Sequence, residues 1–139
     1  MSLVYFDTSA LLKLVLPEPS TELMCALWNR ADAVVTSRLA DAELRAVLRA
    51  GERSGHLTDA QYAQALERWQ ALWPALRKVE VTAGLADRAA ALAEEIGLRA
   101  GDGLHLAAAL LLEEAGVVFA AAEGRLAEAA RDLRLHVLP

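Results

Sequence analysis

Apolar positions along this chain follow two periods in turn. Leu3-Val4-Tyr5-Phe6 is an unbroken apolar run that stops at Asp7-Thr8-Ser9. So short a run, bounded by polar residues, predicts a buried strand over 3–6. A helical pattern begins at once in Ala10-Leu11-Leu12-Lys13-Leu14, and Pro17 and Pro19 interrupt it. A second helix is predicted over 21–30, with Leu23, Ala26 and Leu27 on one face. Ala33-Val34-Val35-Thr36 predicts the second strand, and Ser37 is the expected N-cap of a long helix over 38–53. Thr58-Asp59 opens another helix that ends near Trp73-Pro74. A weaker strand is predicted over 78–81, then a helix over 83–96 stopped by Gly97. Asp102 is expected to start a helix reaching 114. Strands at 117–120 and 135–138 flank a last helix over 125–132.

Strands alternate with helices throughout, so crossover connections and a parallel sheet are expected. The predicted class is α/β, a three-layer α/β/α arrangement with a central sheet of about five strands. The two helices between the second and third strands form a protruding hairpin in this reading. Its second arm carries Tyr62, Leu66, Trp69 and Trp73 as a stripe, which reads as core packing or as a partner surface.

Composition narrows the picture. With 139 residues and no linker or repeat, residues 1–139 read as a single domain. No apolar run is long enough for a membrane span, and the opening lacks a signal-peptide pattern. The single cysteine, Cys25, suits a reducing cytoplasm, the expected location. The net charge of −5 is unlike the basic footprint of most nucleic-acid binders, although net charge is only an average.

Candidate chemistry lies in the acids. In a parallel sheet, ligands bind beyond the carboxyl ends of the strands. Asp7 and Glu123 directly follow the first and fourth strands. Glu43 falls in the second turn of the helix after the second strand, at the margin of an apolar arc that includes Leu39, Leu44, Ala46, Val47, Leu48 and Ala50. Asp102 begins the helix that leads into the fourth strand. All four carboxylates are thus expected at one edge of the sheet. Each also has a structural explanation, as a helix cap or a buried ion pair. Four clustered carboxylates repel one another unless cations neutralise them. Oxygen-only donors suit Mg²⁺ or Mn²⁺, and no Cys/His spacing suggests zinc.

The ordered set of motifs resembles the PIN domain family, and within it the VapC-type toxins of toxin–antitoxin pairs. The matching features are the strand ending in Asp7-Thr8-Ser9, Glu43 in Ala42-Glu43-Leu44, the stretch from Asp102 through Ala109, and Arg125-Leu126-Ala127-Glu128-Ala129-Ala130. The resemblance implies a PIN-like fold and a metal-dependent endoribonuclease that cleaves RNA phosphodiester bonds with a metal-activated water. It makes Asp7, Glu43 and Asp102 the metal-binding acids, with Glu123 a further candidate. Ser9 and Thr8 become supporting hydroxyls. It also implies a cognate antitoxin and a homodimer. One position departs from the family pattern: Ala121-Ala122-Glu123 stands where a hydroxyl residue, any residue and Asp are usual. That departure motivates an alternative, a catalytically weakened PIN-fold module acting by protein or RNA binding.

Other positions carry two readings. Lys13, Arg38 and Arg45 are candidate RNA contacts, Arg38 and Arg45 as part of an arginine face with Arg49 and Arg53, or they are simply solvated. His105 is either near the acids or a packed core histidine with one hydrogen bond.

Overall fold

Both faces of the first strand, β1 (Leu3–Phe6), are buried, as a strand with layers on each side requires. The computed structural model describes residues 2–122 and 124–138. After β1 come α1 (Thr8–Val15), α2 (Thr21–Arg30), β2 (Ala33–Ser37), α3 (Ala40–Arg53) and α4 (Asp59–Leu72). The chain continues through β3 (Arg77–Val79), α5 (Ala83–Ile96), α6 (Ala100–Leu110), β4 (Val118–Ala120), α7 (Arg125–Asp132) and β5 (His136–Leu138).

The strands pair in the order β3-β2-β1-β4-β5, all parallel. Side chains alternate across β1. Leu3 and Tyr5 join Val35, Phe119, Leu106 and Ala127 in one core, against α6 and α7. Val4 and Phe6 join Val34, Leu11, Leu44 and Trp69 in the other, against α1, α3 and α4. These two cores make the three-layer architecture. The chain leaves β1 toward β2 on one side and returns to β4 on the other. The order therefore reverses between β1 and β4, the crevice where open α/β sheets bind ligands.

Local signals account for most element ends. Thr58 and Gln61 form a reciprocal capping box at the start of α4. The Thr82 hydroxyl accepts from the Leu85 N–H at the start of α5, and Gly97 closes that helix in the left-handed conformation. The α3–α4 pair is the expected hairpin, and Trp69 is fully buried, so its stripe is core at that position. The Trp69 indole N–H donates to Asp41 Oδ1 at 2.8 Å. Among the described residues no helix is long and apolar enough to cross a membrane.

Several expectations are corrected. Ser37 ends β2 rather than capping α3; its hydroxyl accepts from the Leu39 N–H in the intervening turn. α6 begins before Asp102, which lies inside its first turn, and ends at Leu110. β3 runs over Arg77–Val79 and leaves Val81 exposed. On α3 the buried residues are Ala40, Leu44 and Leu48, whereas Ala46, Val47 and Ala50 face outward. On α2, Met24 is buried and Leu23 exposed. In both helices the buried stripe is narrower than the apolar arc on the wheel. Helix orientation against the sheet, not hydropathy alone, selects which side is covered.

α5 and α6 pack closely because Gly103 has no side chain. A Cβ there would lie 2.8 Å from the Ala89 carbonyl oxygen, a backbone atom that cannot swing away. Gly103→Ala should therefore lower unfolding stability by about 1–3 kcal/mol, the usual range for overpacking. Gly84, near the start of α5, faces open space. Gly84→Ala should leave stability unchanged or raise it by up to about 1 kcal/mol through helix propensity. Urea unfolding of the two variants, followed by circular dichroism, measures both effects.

Candidate active site

Asp7 is placed by backbone on both sides. Its N–H donates to the Ala120 carbonyl at 3.1 Å, which extends the β1–β4 pairing to the crevice. Its carboxylate caps α1, accepting from the Ala10 N–H at 2.8 Å. The Ser9 hydroxyl donates to the same carboxylate, 2.7 and 2.9 Å from its two oxygens. Ser9 Oγ in turn accepts from the Ala122 N–H at 3.1 Å. One serine thus ties the end of β1 to the segment after β4.

Glu43 reaches the same place from the first turn of α3. Its Oε1 accepts from the Thr8 hydroxyl at 2.7 Å and lies 2.7 Å from His105 Nε2. Thr8 Oγ1 is also 3.0 Å from His105 Nε2. The other carboxylate oxygen, Oε2, packs against Gly101, where any Cβ would collide with it. Asp102 projects from the first turn of α6, and among the described residues its carboxylate has no hydrogen-bond or ion-pair partner. Asp7, Thr8, Ser9, Glu43, Asp102 and His105 line one cavity of about 180 Å³ that opens between β1 and β4. Ala122, Gly124, Arg125 and Leu126 complete its wall. A roomier cleft of about 450 Å³ beside α1 and α4 has Glu18 as its one acidic lining residue, so the carboxylates do not converge there.

The charges are unequal. Burial pushes the Asp7 carboxyl above the ordinary carboxylate range, and the Asp102 charge adds to it. His105 and the Ser9 and Ala10 hydrogen bonds oppose that rise without cancelling it. Burial likewise raises Asp102, with the Glu43 charge adding and His105 and Arg99 opposing. Burial acts upward on Glu43 too, but its hydrogen bonds from His105 and Thr8 and the nearby His105 ring outweigh it and hold the group low. Two of the three acids are therefore destabilised as anions while the third is held as one.

A PIN domain family model matches residues 4–132. The chain belongs to the PIN domain family. Over its whole length it is 42% identical to Ribonuclease VapC45 and to Ribonuclease VapC49, each from a strain of Mycobacterium tuberculosis, and covers 96% of each. In fold it is similar to the crystal structure of PAE2754 from Pyrobaculum aerophilum, with TM-score 0.71 and 18% identity over 98% of this chain and 83% of that one. It is also similar to VapC20 of Mycobacterium tuberculosis, a toxin described as cleaving the sarcin-ricin loop. There the TM-score is 0.67, with 20% identity over 91% of this PIN chain and 94% of the other. A toxin–antitoxin complex from Klebsiella pneumoniae shares the fold at TM-score 0.61, with 21% identity over 88% of this chain and 87% of that one.

Glu123, expected near these acids, lies outside the described residues. Of the candidate RNA contacts, Lys13 pairs with Glu18, Arg38 with Glu80 and Arg45 with Asp41. Sequence reasoning missed Arg125 on the cavity wall and the full engagement of His105. The His105 ring is bonded at both nitrogens, with Tyr5 Oη 2.7 Å from Nδ1, rather than at one. Tyr5 and His105 are a hundred positions apart, and no local pattern announces the pair. The i, i+3 spacing of Asp102 and His105 on one helix was the available signal.

The raised Asp7 pKa has a sign that can be checked. A carboxyl with a folded pKa above its unfolded value of about 4 contributes stability below that value and loses it as pH rises through the folded pKa. Asp7→Asn keeps an oxygen to accept from Ser9 and Ala10 but carries no charge. In metal-free protein it should therefore melt above wild type at pH 7.5, and the gap should close toward pH 4. Differential scanning calorimetry across that range measures it.

Proposed function

We propose that this chain is a divalent-metal-dependent endoribonuclease and the toxin of a toxin–antitoxin pair. The observation that carries the proposal is the convergence of Asp7, Glu43 and Asp102 on one cavity, with Asp102 left without a partner among the described residues. The donor set fits a hard cation: carboxylate oxygens, no thiolate, and anionic charge that the surrounding residues leave unbalanced. As the side chains stand, no three His, Cys, Asp or Glu among the described residues close around a single ion. The 42% identity to proteins named ribonucleases, over the full chain, supports the same reaction class.

Asp7, Glu43 and Asp102 would hold Mg²⁺ or Mn²⁺, with Glu123 as a further candidate. The ion would supply Lewis acidity, polarising a water for attack on phosphorus and offsetting charge on the phosphate. The chain's own residues set the stage. Ser9 and the Ala10 N–H fix Asp7, and Thr8 and His105 fix Glu43. Arg125 is the cavity-lining cation, and it has no ion pair among the described residues. A Cβ at Gly97 would lie 3.5 Å from one of its guanidinium nitrogens, so its head group reaches across to the end of α5. There it suits a phosphate of bound RNA. Lys13, Arg38 and Arg45 are weaker candidates, since phosphate must displace their carboxylate partners. The expected partners are an antitoxin that covers the cavity and a second copy in a homodimer.

A second reading is a PIN-fold binding module with weakened catalysis. Ala121 favours it: the position is buried and offers no hydroxyl. Metal binding and turnover separate the two readings. Mn²⁺ should raise the melting temperature of wild type, because an ion bound to the folded state stabilises it by mass action. Asp102→Asn should show a much smaller rise. Labelled RNA should be cleaved by wild type at saturating Mn²⁺, and Asp7→Asn should be inactive. No metal-dependent cleavage together with no thermal shift would favour the binding module. In the same assay Glu123→Gln decides whether that residue contributes to turnover.

Arg125→Ala should weaken RNA binding with little change in kcat. Because one phosphate contact is lost, the slope of log affinity against log salt should become shallower by about 1. Fluorescence anisotropy with a non-cleavable RNA at several salt concentrations measures it.

A further inference from the structure

We propose that Tyr5 and His105 are positioning residues. Tyr5 donates to Nδ1 of His105 and holds its ring with Nε2–H toward Glu43, and that ring together with Thr8 orients Glu43 for metal. The role rests on the metal-dependent reading above; the tautomer does not.

The geometry leaves little freedom. His105 is 2% exposed, and each ring nitrogen has a neighbour at 2.7 Å, Tyr5 Oη at Nδ1 and Glu43 Oε1 at Nε2. Tyr5 itself is fully buried, and its ring meets that of His105 edge-on at 5.8 Å. A tyrosine phenol carries its proton at neutral pH, so Tyr5 is available as a donor. A carboxylate oxygen at 2.7 Å requires a proton on Nε2, since the opposite tautomer would set a lone pair against an anion. In the neutral ring Nδ1 is then an acceptor, and the Tyr5 O–H donates to it.

Each donor therefore points one way, Tyr5 to His105 to Glu43, and Thr8 to Glu43. Both final donors land on Oε1. Oε2 receives none among the described residues and packs against Gly101, where no side chain intrudes. The carboxylate is held by one oxygen and keeps the other. A histidine that orients a ligand from behind is the same device as the carboxylate or carbonyl behind a metal-bound histidine, with the order reversed.

The test begins with metal-free protein labelled with ¹⁵N. Two-bond ¹H–¹⁵N correlation should show His105 with protonated Nε2 and bare Nδ1, and in Tyr5→Phe, where Nδ1 loses its donor, the Nδ1 resonance should move downfield. Protonated Nδ1 in wild type overturns the proposal, as does a Tyr5→Phe spectrum identical to wild type. Mn²⁺ titration should then show weaker binding in Tyr5→Phe by about 10-fold, the lower end for lost outer partners. RNA turnover should fall similarly in kcat with KM unchanged. His105→Gln, which retains an N–H donor, should keep more Mn²⁺ affinity than His105→Leu. Equal affinity in those two variants, both folded by circular dichroism, would reduce His105 to a packing residue and overturn the positioning role. A wild type with the expected tautomer that cleaves no RNA defeats the ribonuclease reading and leaves the Tyr5–His105 tie standing.

Discussion

The structure depends on keeping an anion at the buried end of a central strand. Asp7 is 4% exposed, at the point where the strand order reverses. A carboxylate in that position costs free energy unless donors or cations answer it. The fold answers with a serine hydroxyl, a helix N-terminus and, behind the serine, the Ala122 N–H. Each is supplied by a different level of organisation: local sequence, secondary structure and long-range packing. The answer is incomplete, because Asp7 remains above the ordinary carboxylate range and Asp102 nearby has no donor among the described residues. An acid site left short of positive charge is what a metal-dependent reaction needs, and the fold loses stability to keep it so.

Much of this was legible in the sequence, and the reasons are local. The strand of Leu3 to Phe6 has one period and the helix after it another, and a carboxylate at the junction of two periods is visible without coordinates. Glu43 stood out because it lies at the margin of an apolar arc, and Asp102 because it stands near the start of an apolar helix. Topology then carried all three to one edge. Harder to see was where each helix would turn its buried side. α3 covers Leu44 and Leu48 but leaves Val47 in solvent, a choice made by the angle of the helix on the sheet. The pairing of Tyr5 with His105 was out of reach, since it depends on two elements distant in the chain meeting at ångström precision. The ion-pair partners of the basic residues were hidden for a related reason. A helical wheel places Arg38 and Arg45 on a surface, but it cannot show that Glu80 and Asp41 already hold them.

Small residues carry a share of the design that hydropathy ignores. Gly103 lets α5 and α6 approach until backbone meets backbone, and two positions earlier Gly101 makes room for a Glu43 oxygen. Both lie in the first turns of α6, on either side of Asp102. The helix that supplies one acid is thereby set at the right distance from the helix that supplies another.

The three acids also differ in stiffness. Asp7 is gripped by a hydroxyl and a backbone N–H, and Glu43 by a hydroxyl and an imidazole. Among the described residues Asp102 is gripped by neither kind of donor. Mechanically, the cavity has two clamped walls and one compliant one. On the metal-dependent reading proposed above, cations of different radius demand different oxygen spacings, and among the described acids most of that accommodation would fall to Asp102. On that reading, discrimination between ions of similar charge would be governed by how far Asp102 can swing, and a bulkier neighbour beside it would narrow the range of ions the cavity accepts.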